Sequence, residues 1–385
     1  MKIIVNISHL NNPQTGIEHY TSELLKRLMV SPEVEDLVGF DAIKFYSKEE
    51  IKARLATNAI VSISENASKY KVKHLLKQIP GARRLYHLLW RRMHQQRLND
   101  YAQKGYLYWE PNYITQPYLG KSFPVVHDLS VLQCPQYHLA DKVKWFSGNL
   151  PKSIQSANRI QTISKYSQQQ IAQTFQIPKN QIDIIPPGVD DIFYPRAEAQ
   201  ATKVLSKYGI QYKAYLLSVS TIEPRKNLKG LFAAWSQLSE TLKAQYPLVL
   251  VGKKGWLHED FGQTIAPYIQ KGQVILTGHI PTEDLPHLYS GAKVFAYLSF
   301  YEGYGMPVAE AICCGTWVLA SNATSIPEAG QQYAEYVSPN HTEEITQKLT
   351  TLLQTQSVPP LPNRDNYSWE HATDRLIQSF KKGEE

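Results

Sequence analysis

Two short segments concentrate the residues able to do chemistry. In Tyr301-Glu302-Gly303-Tyr304-Gly305-Met306-Pro307-Val308-Ala309-Glu310, two carboxylates bracket a turn built on two glycines. Gly303 and Gly305 permit a tight turn and close approach of a ligand to the backbone, and Pro307 suits a first helical position, where its missing N–H costs nothing. The N–H groups of Gly305, Met306 and Val308 are then expected to form an anion site at a helix N-terminus. Carboxylates are a poor choice for phosphate itself. They suit hydroxyl groups lying next to one, and a ligand that offers both is a nucleotide sugar. For an isolated Glu-Gly turn, two solvated acids at a helix start weigh equally.

The second segment is Ser218-Val219-Ser220-Thr221-Ile222-Glu223-Pro224-Arg225-Lys226-Asn227-Leu228. Arg225 offers a planar fork and Lys226 a point charge, a combination suited to a diphosphate. A basic pair after a turn is more often simply solvated. Placement decides for the functional reading, because both segments fall between a strand and a helix of one α/β domain.

The elements that must position these groups are legible as periodicity. Apolar runs predict strands at Lys2–Asn6, Leu107–Trp109, Pro124–His127, Arg159–Ile163 and Ile182–Ile185, separated by helical stretches. One helix starts at Gly16, with Tyr20, Leu24, Leu25 and Leu28 on one face, and another follows Ser164 as N-cap and ends near Phe175. The pattern halts at Pro186–Pro195, a hinge, and restarts. Strands are then expected at Tyr215–Val219, Leu248–Val251, Val274–Leu276, Val294–Tyr297 and Val318–Ala320. Helices are expected at Leu228–Leu238, Leu285–Tyr289, Pro307–Cys314 and Thr342–Leu353, with Thr342 as the last one's N-cap, and a final helix at Trp369–Lys381. This is an α/β chain of two doubly wound, Rossmann-like domains, whose ligand belongs at the carboxyl ends of the strands. The division predicted is an N-terminal domain over 1–195, a C-terminal domain over 196–366, and a helix within 367–385 that packs back on the first.

Composition narrows the class. At 385 residues, 43% hydrophobic and 19% charged, the chain is too long for one core and too apolar for disorder. Cys134, Cys313 and Cys314 lack metal-ligand spacing and suggest no disulfide framework, which fits a reducing, cytoplasmic setting. The opening Met-Lys-Ile-Ile-Val-Asn-Ile reads as a strand rather than a secretory leader, and no apolar run approaches the ~20 residues that cross a bilayer. A soluble protein is expected. The net charge of +7 points to an anionic partner without choosing among nucleic acid, headgroups and nucleotide-sugar phosphates.

The motifs together resemble the retaining glycosyltransferases of family 4, which have the GT-B fold. The likeness is carried by Glu-Pro-Arg-Lys-Asn, by the Glu-x7-Glu of Glu302 and Glu310 with the Ala-Ile-Cys-Cys-Gly-Thr-Trp-Val-Leu-Ala-Ser that follows, and by Gly278-His279-Ile280-Pro281 and Pro187-Gly188-Val189-Asp190. Shorter stretches, Thr15-Gly16-Ile17 and Val126-His127-Asp128-Leu129-Ser130, extend it into the N-terminal half, and Tyr367–Glu370 precedes the crossover helix. The resemblance implies that Glu310 binds the donor ribose, that Glu302 holds hydroxyls of the transferred sugar, and that Arg225 and Lys226 neutralise the diphosphate. It also implies that Gly16 presents its N–H to the diphosphate, that His127 reaches the donor sugar with Asp128 near the acceptor, and that the backbone at His279 and Ile280 meets the base. Gly303, Tyr304, Gly305, Met306 and Val308 complete the implied donor site, and the resemblance implies that the domain over 196–366 binds the nucleotide-sugar donor while the domain over 1–195 binds the acceptor. Some family members carry an Arg near the position of Ser220; here Arg225 and Lys226 must supply the charge.

No Asp-x-Asp occurs in the chain, so no metal and no further cofactor are expected beside the nucleotide-sugar donor. The motif combination is similar to bacterial mannosyltransferases that use GDP-mannose in O-antigen or exopolysaccharide assembly. UDP- or dTDP-sugar donors stay open, and a non-hydrolysing nucleotide-sugar epimerase shares the fold. Between Lys69 and Arg97 stand nine Lys or Arg residues and no acid, interleaved with Leu88, Leu89, Trp90 and Met93 and broken by Pro80-Gly81. This reads as two basic apolar helices suited to an anionic membrane surface, with a lipid-linked saccharide as acceptor. The bland alternative is a solvated surface helix, and a nucleic-acid role would leave the Glu-x7-Glu site idle.

Overall fold

The computed structural model describes residues 1–11, 16–42, 44–57, 82–253 and 259–384. Its first sheet comprises β1 (Lys2–Asn6), β2 (Asp36–Phe40), β3 (Phe45–Tyr46), β4 (Tyr106–Glu110) and β5 (Ser122–Pro124), in the order β3-β2-β1-β4-β5. All pairs are parallel except β2 with β3, and Ile3 lies opposite both Leu37 and Leu107. A parallel bridge from Val125 to Gln161 joins this sheet to β6 (Ile160–Thr162) and β7 (Ile182–Ile184). The second sheet, β8 (Leu216–Val219), β9 (Leu248–Val251), β10 (Val274–Gly278), β11 (Val294–Tyr297), β12 (Trp317–Ser321) and β13 (Glu335–Val337), is wholly parallel in the order β10-β9-β8-β11-β12-β13.

That order is the doubly wound 3-2-1-4-5-6 pattern, and its direction of winding reverses between β8 and β11. The central strands β9 and β11 are buried at every position, which is why they read as unbroken apolar runs rather than alternation. The first sheet reverses in the same way between β1 and β4.

Local chemistry explains most boundaries. Ser164 caps the helix Lys165–Phe175 by accepting from the Ser167 N–H. Thr342 does not cap the helix Thr342–Gln354: His341 occupies the cap position without a side-chain bond, and Thr342 is the first helical residue. The strand expected at Pro124–His127 stops at Pro124, because Val125 turns to bridge Gln161 and Val126 donates to the Gln161 carbonyl. Of the basic segment, the second helix forms as part of Ala82–Gln103; the first lies outside the described residues. The last helix, Trp369–Glu384, packs against the first sheet's layer. Phe380 meets Phe123 edge-on at 5.0 Å, and Ser379 bonds both Gln161 and Asp183. Cys313 and Cys314 are buried against the second sheet.

Candidate active site

Both motifs emerge where the second sheet reverses, one after β8 and one after β11. After β8, Pro224 opens a single 3-10 turn, Pro224–Lys226. Asn227 ends that turn in the left-handed region at φ 53° and caps the next helix, Leu228–Ser236, by accepting from the Gly230 N–H. Asn tolerates this conformation better than other side chains, so Glu-Pro-Arg-Lys-Asn is a device that holds two cations on a rigid turn.

The loop after β11 is laced to it. The Phe300 N–H donates to the Arg225 carbonyl at 2.9 Å, and the Arg225 guanidinium donates to the Tyr301 carbonyl at 2.6 Å. Glu302 is 7% exposed. Its Oε1 accepts from Lys226 Nζ at 2.7 Å and from the Tyr297 hydroxyl at 3.0 Å, and its Oε2 accepts from Arg225 at 3.1 Å. The Glu302 turn is fixed from below, since its N–H reaches Thr324 Oγ1 and Ser325 Oγ donates to its carbonyl. Arg225 is shared with Glu223 at 2.7 Å.

Electrostatics follow from burial and pairing. Burial pushes the Glu302 carboxyl up, but Arg225 and Lys226 outweigh it and bring it down to about 2. Burial lowers Lys226, with Arg225 adding to the effect and Glu302 opposing it. Glu310, in the helix Met306–Cys313, makes no ion pair with a Lys or Arg among the described residues, and His19 acts on it only at longer range. Burial raises its carboxyl to about 7 against the hydrogen bond from the Tyr289 hydroxyl at 2.8 Å.

The helix start differs from expectation at one point. Gly305 stands at its N-cap with φ 111°, but the Val308 N–H donates to the Gly305 carbonyl at 2.9 Å. The tight first turn around Pro307 closes that ring, which leaves Gly305 and Met306, not Val308, at the open end.

The N-terminal half meets this site directly. A Cβ on Gly303 would lie 3.0 Å from the His127 carbonyl and 3.2 Å from Asp128; the glycine therefore lets the two halves close on each other. His127 is buried, edge-on to Tyr20 and Tyr113, with Nε2 2.8 Å from the Pro111 carbonyl. A carbonyl only accepts, so Nε2 carries the proton, and burial holds the ring below the usual histidine range. Asp128 accepts from the Ser130 N–H and faces Arg225. Gly16 is exposed at the start of the helix Gly16–Leu28, and His19, one turn on, lies within electrostatic reach of Glu310. His279 is exposed and Ile280 buried after β10. One strand, β9, separates them from β8, so the structure does not bring them to the cations.

Five residues went unread as partners in the sequence: Tyr297, Tyr289, Glu328 and the paired His19 and Asp190. Tyr297 ends a predicted strand and Asp190 lies in a quoted motif, so their positions were visible though their partners were not. Glu328 spans the two halves, accepting from the N–H groups of Lys165 and Tyr166 at 2.7 and 2.8 Å. Among the described residues, one group has carboxylate and imidazole atoms within 4.8 Å of one another: His19, Glu23 and Asp190. Its members are already engaged, Asp190 with His19 and Trp369 and Glu23 with Lys26 and Arg27.

Residues 203–368 match the family model described as glycosyl transferases group 1. Over 388 aligned residues the chain is 33% identical to the O-antigen chain mannosyltransferase B of Escherichia coli, covering 99% of this chain and 100% of that one. The chain belongs to the group 1 glycosyltransferases. It is also similar to the O-antigen chain mannosyltransferase RfbU of Salmonella typhimurium, 23% identical with 88% of this chain and 87% of that one covered. Its fold is that of WaaG, a glycosyltransferase involved in lipopolysaccharide biosynthesis, with a TM-score of 0.65 at 12% identity over 100% and 99% of the two chains. The architecture is thus GT-B, two Rossmann-like domains, and the chain is a glycosyltransferase. No helix among the described residues is long and apolar enough to cross a membrane.

Proposed function

We propose that this glycosyltransferase moves mannose from GDP-mannose to a saccharide carried on a lipid, with retention of configuration and without a metal ion. The observation that carries the reading is the Arg225–Lys226–Glu302 cluster, locked by two loops at the point where the second sheet reverses. Breaking the C1–O bond to the diphosphate leaves negative charge on phosphate oxygens. Cations already oriented by Glu302, together with the open N–H groups at the Met306–Cys313 helix start, meet that charge without reorganising. The acceptor hydroxyl attacks C1 from the face the diphosphate leaves, and its proton passes to a diphosphate oxygen.

Glu302 ends among the sugar hydroxyls, Glu310 takes the ribose, Gly16 approaches the diphosphate, and His127 and Asp128 face the sugar and the acceptor. His279 and Ile280, about two strand spacings from β11's neighbour β8, suit a base at the far end of an extended nucleotide. The relatives' names supply the mannose; the base is this reading's own choice. Incubation with GDP-mannose, UDP-glucose, UDP-N-acetylglucosamine and a dTDP-sugar, each with and without EDTA, tests it. GDP release matched to an α-mannosyl product, unchanged by EDTA, is expected. Turnover restricted to a UDP- or dTDP-sugar, an inverted product, or an epimerised nucleotide sugar would overturn it.

Peripheral attachment to an anionic bilayer belongs to the same reading. In the helix Ala82–Gln103, Arg92, Met93 and Arg97 are exposed, with Met93 at 70%, while His94 and Leu98 are buried. Cosedimentation with anionic liposomes should be lost when Arg83, Arg84, Arg91 and Arg92 are all replaced by Ser.

A further inference from the structure

The two carboxylates of the site are joined by a stretch of chain poorly able to fix their spacing. Between Glu302 and Glu310 lie Gly303 and Gly305, the latter at φ 111°, and glycine is the most permissive backbone residue. Each carboxylate side chain adds rotamer freedom of its own. What pins them lies underneath. Glu302 Oε1 accepts from the Tyr297 hydroxyl at 3.0 Å, and Glu310 Oε2 accepts from the Tyr289 hydroxyl at 2.8 Å. Resting on the glycosyl-transfer reading above, we infer that Tyr297 and Tyr289, packed together through Phe295, are positioning residues that set the two carboxylates at the spacing of a donor's sugar and ribose.

The rings form one buried layer. Phe295 and Tyr297 stand two apart on β11 and so share a face of the sheet; their rings stack at 6.0 Å with 21° between the planes. Tyr289, from the helix Leu285–Gly291, meets Phe295 edge-on at 5.3 Å, and Phe193 of the hinge segment meets Tyr289 at 6.0 Å. Tyr289 and Phe295 are fully buried, and Tyr297 and Phe193 nearly so. Close-packed interiors transmit displacement rather than absorb it, and paired rings prefer set orientations. Each phenol therefore projects its hydroxyl from a fixed point. Burial and the facing carboxylates raise both phenols well above their ordinary range, so each keeps its proton and stays a donor.

The two phenols differ in what else they hold. Tyr297 Oη also accepts from Lys226 Nζ at 3.0 Å. It thus ties the carboxylate assigned to the sugar to a cation assigned to the diphosphate, and both must be in place when charge separates between them. Its loss is felt in turnover. Tyr289 bonds Glu310 Oε2, while Oε1 makes no hydrogen bond among the described residues and is left for a ribose hydroxyl. Its loss is felt in the grip on the nucleotide. A buried hydrogen bond to an ionised group is worth about tenfold or more in either quantity.

The test uses the full chain, with GDP-mannose varied against fixed octyl α-mannobioside and GDP alone titrated by calorimetry. A Tyr→Phe change removes one oxygen and keeps the ring, so the layer stays packed. Tyr297→Phe should lower kcat about tenfold, with donor KM and GDP affinity within about twofold of wild type; Tyr289→Phe should raise donor KM and weaken GDP about tenfold, with kcat little changed. Facing Glu310 are Tyr289, His19 of the first helix and Asp190 of the hinge segment, with Cys313 and Cys314 on its own helix. Removing the phenol takes a donor from the ionised carboxylate. The acid limb of 1/KM should therefore move to higher pH in Tyr289→Phe and stay in place in Tyr297→Phe. Phe295→Leu keeps both hydroxyls but opens the layer between them, and should impair both constants severalfold; if it does not fold, the two Phe variants decide alone. Wild-type constants in these variants, damage to the same constant in both Phe variants, or an unmoved acid limb would overturn the inference even if transfer from GDP-mannose proceeds. If another nucleotide sugar proves to be the donor, the GDP-mannose reading falls, and the same split, measured with that sugar and its nucleoside diphosphate, decides the inference.

Discussion

Replacing Glu302 with Gln removes one charge and little volume, and its consequences separate structure from chemistry. The wild-type carboxyl is held at about 2 against an ordinary value of 4.5, a difference worth roughly 3 kcal/mol. Mutational losses of one partner in a buried pair run to about 3–5 kcal/mol, because the partner is left uncompensated. Here Arg225 retains Glu223, which places the expected loss at the lower end. The sign is that of a depressed acid: the contribution is fully present above pH 4.5 and is lost as the pH falls toward 2. Urea unfolding at pH 7, followed by a fluorescence signal from the second domain, should therefore show Glu302→Gln destabilised by about 3 kcal/mol, narrowing as the pH drops below 4.5. GDP should bind at least as well as to wild type, since Arg225 and Lys226 lose a competing anion, while transfer falls by about two orders of magnitude or more. A variant with wild-type stability at pH 7 and wild-type turnover would show that the cluster is not the machine described.

Other consequences follow from neighbouring contacts. Lys226→Ala should cut transfer by orders of magnitude and weaken GDP binding, measurable by calorimetry. Glu310 is a raised acid, so between pH 4.5 and about 7 the folded chain binds the extra proton and stability declines as pH rises. Glu310→Gln should flatten that slope in a pH series of urea melts and also raise the donor KM. A Val at position 303 would press a branched side chain on the His127 carbonyl and Asp128, so scattering from Gly303→Val should show a more open pair of domains and a lower kcat, with unfolding of each domain unaffected. Glu328→Ala should loosen the same approach by removing the acceptor of two N–H groups at the Lys165–Phe175 helix start. An unchanged radius of gyration in both variants would count against that account of closure.

What the sequence disclosed depends on the range of the physics. Strands β9 and β11 are buried at all four positions and β8 at three of its four, and Ser164 caps its own helix by accepting from the residue three on, so local patterns sufficed. The strand Asp36–Phe40 went unread because its interior Gly39 and leading acid break the pattern; a Cβ at 39 would lie 2.9 Å from Ile51 and 3.0 Å from Ile7, so the glycine makes room for side chains from elsewhere in the chain. The helix Ala140–Gln155 was hidden by Gly148 and Pro151 within it. Charge types at 225, 226, 302 and 310 were visible, yet their division of labour was not. Glu302 and Glu310 look alike in the chain, and only the fold gives two cations to one and a tyrosine hydroxyl to the other. Asn6 donates to the buried Glu110 at 2.8 Å across 104 positions of chain, beyond any local pattern.

A crystal structure of the full chain with GDP-mannose, grown in EDTA, tests the central claim most directly. The account predicts the diphosphate between Arg225, Lys226 and the N–H groups of Gly305 and Met306, with the mannose hydroxyls at Glu302 and the ribose at Glu310. A nucleotide seated elsewhere, or one whose phosphates require an added divalent cation to appear there, would contradict it.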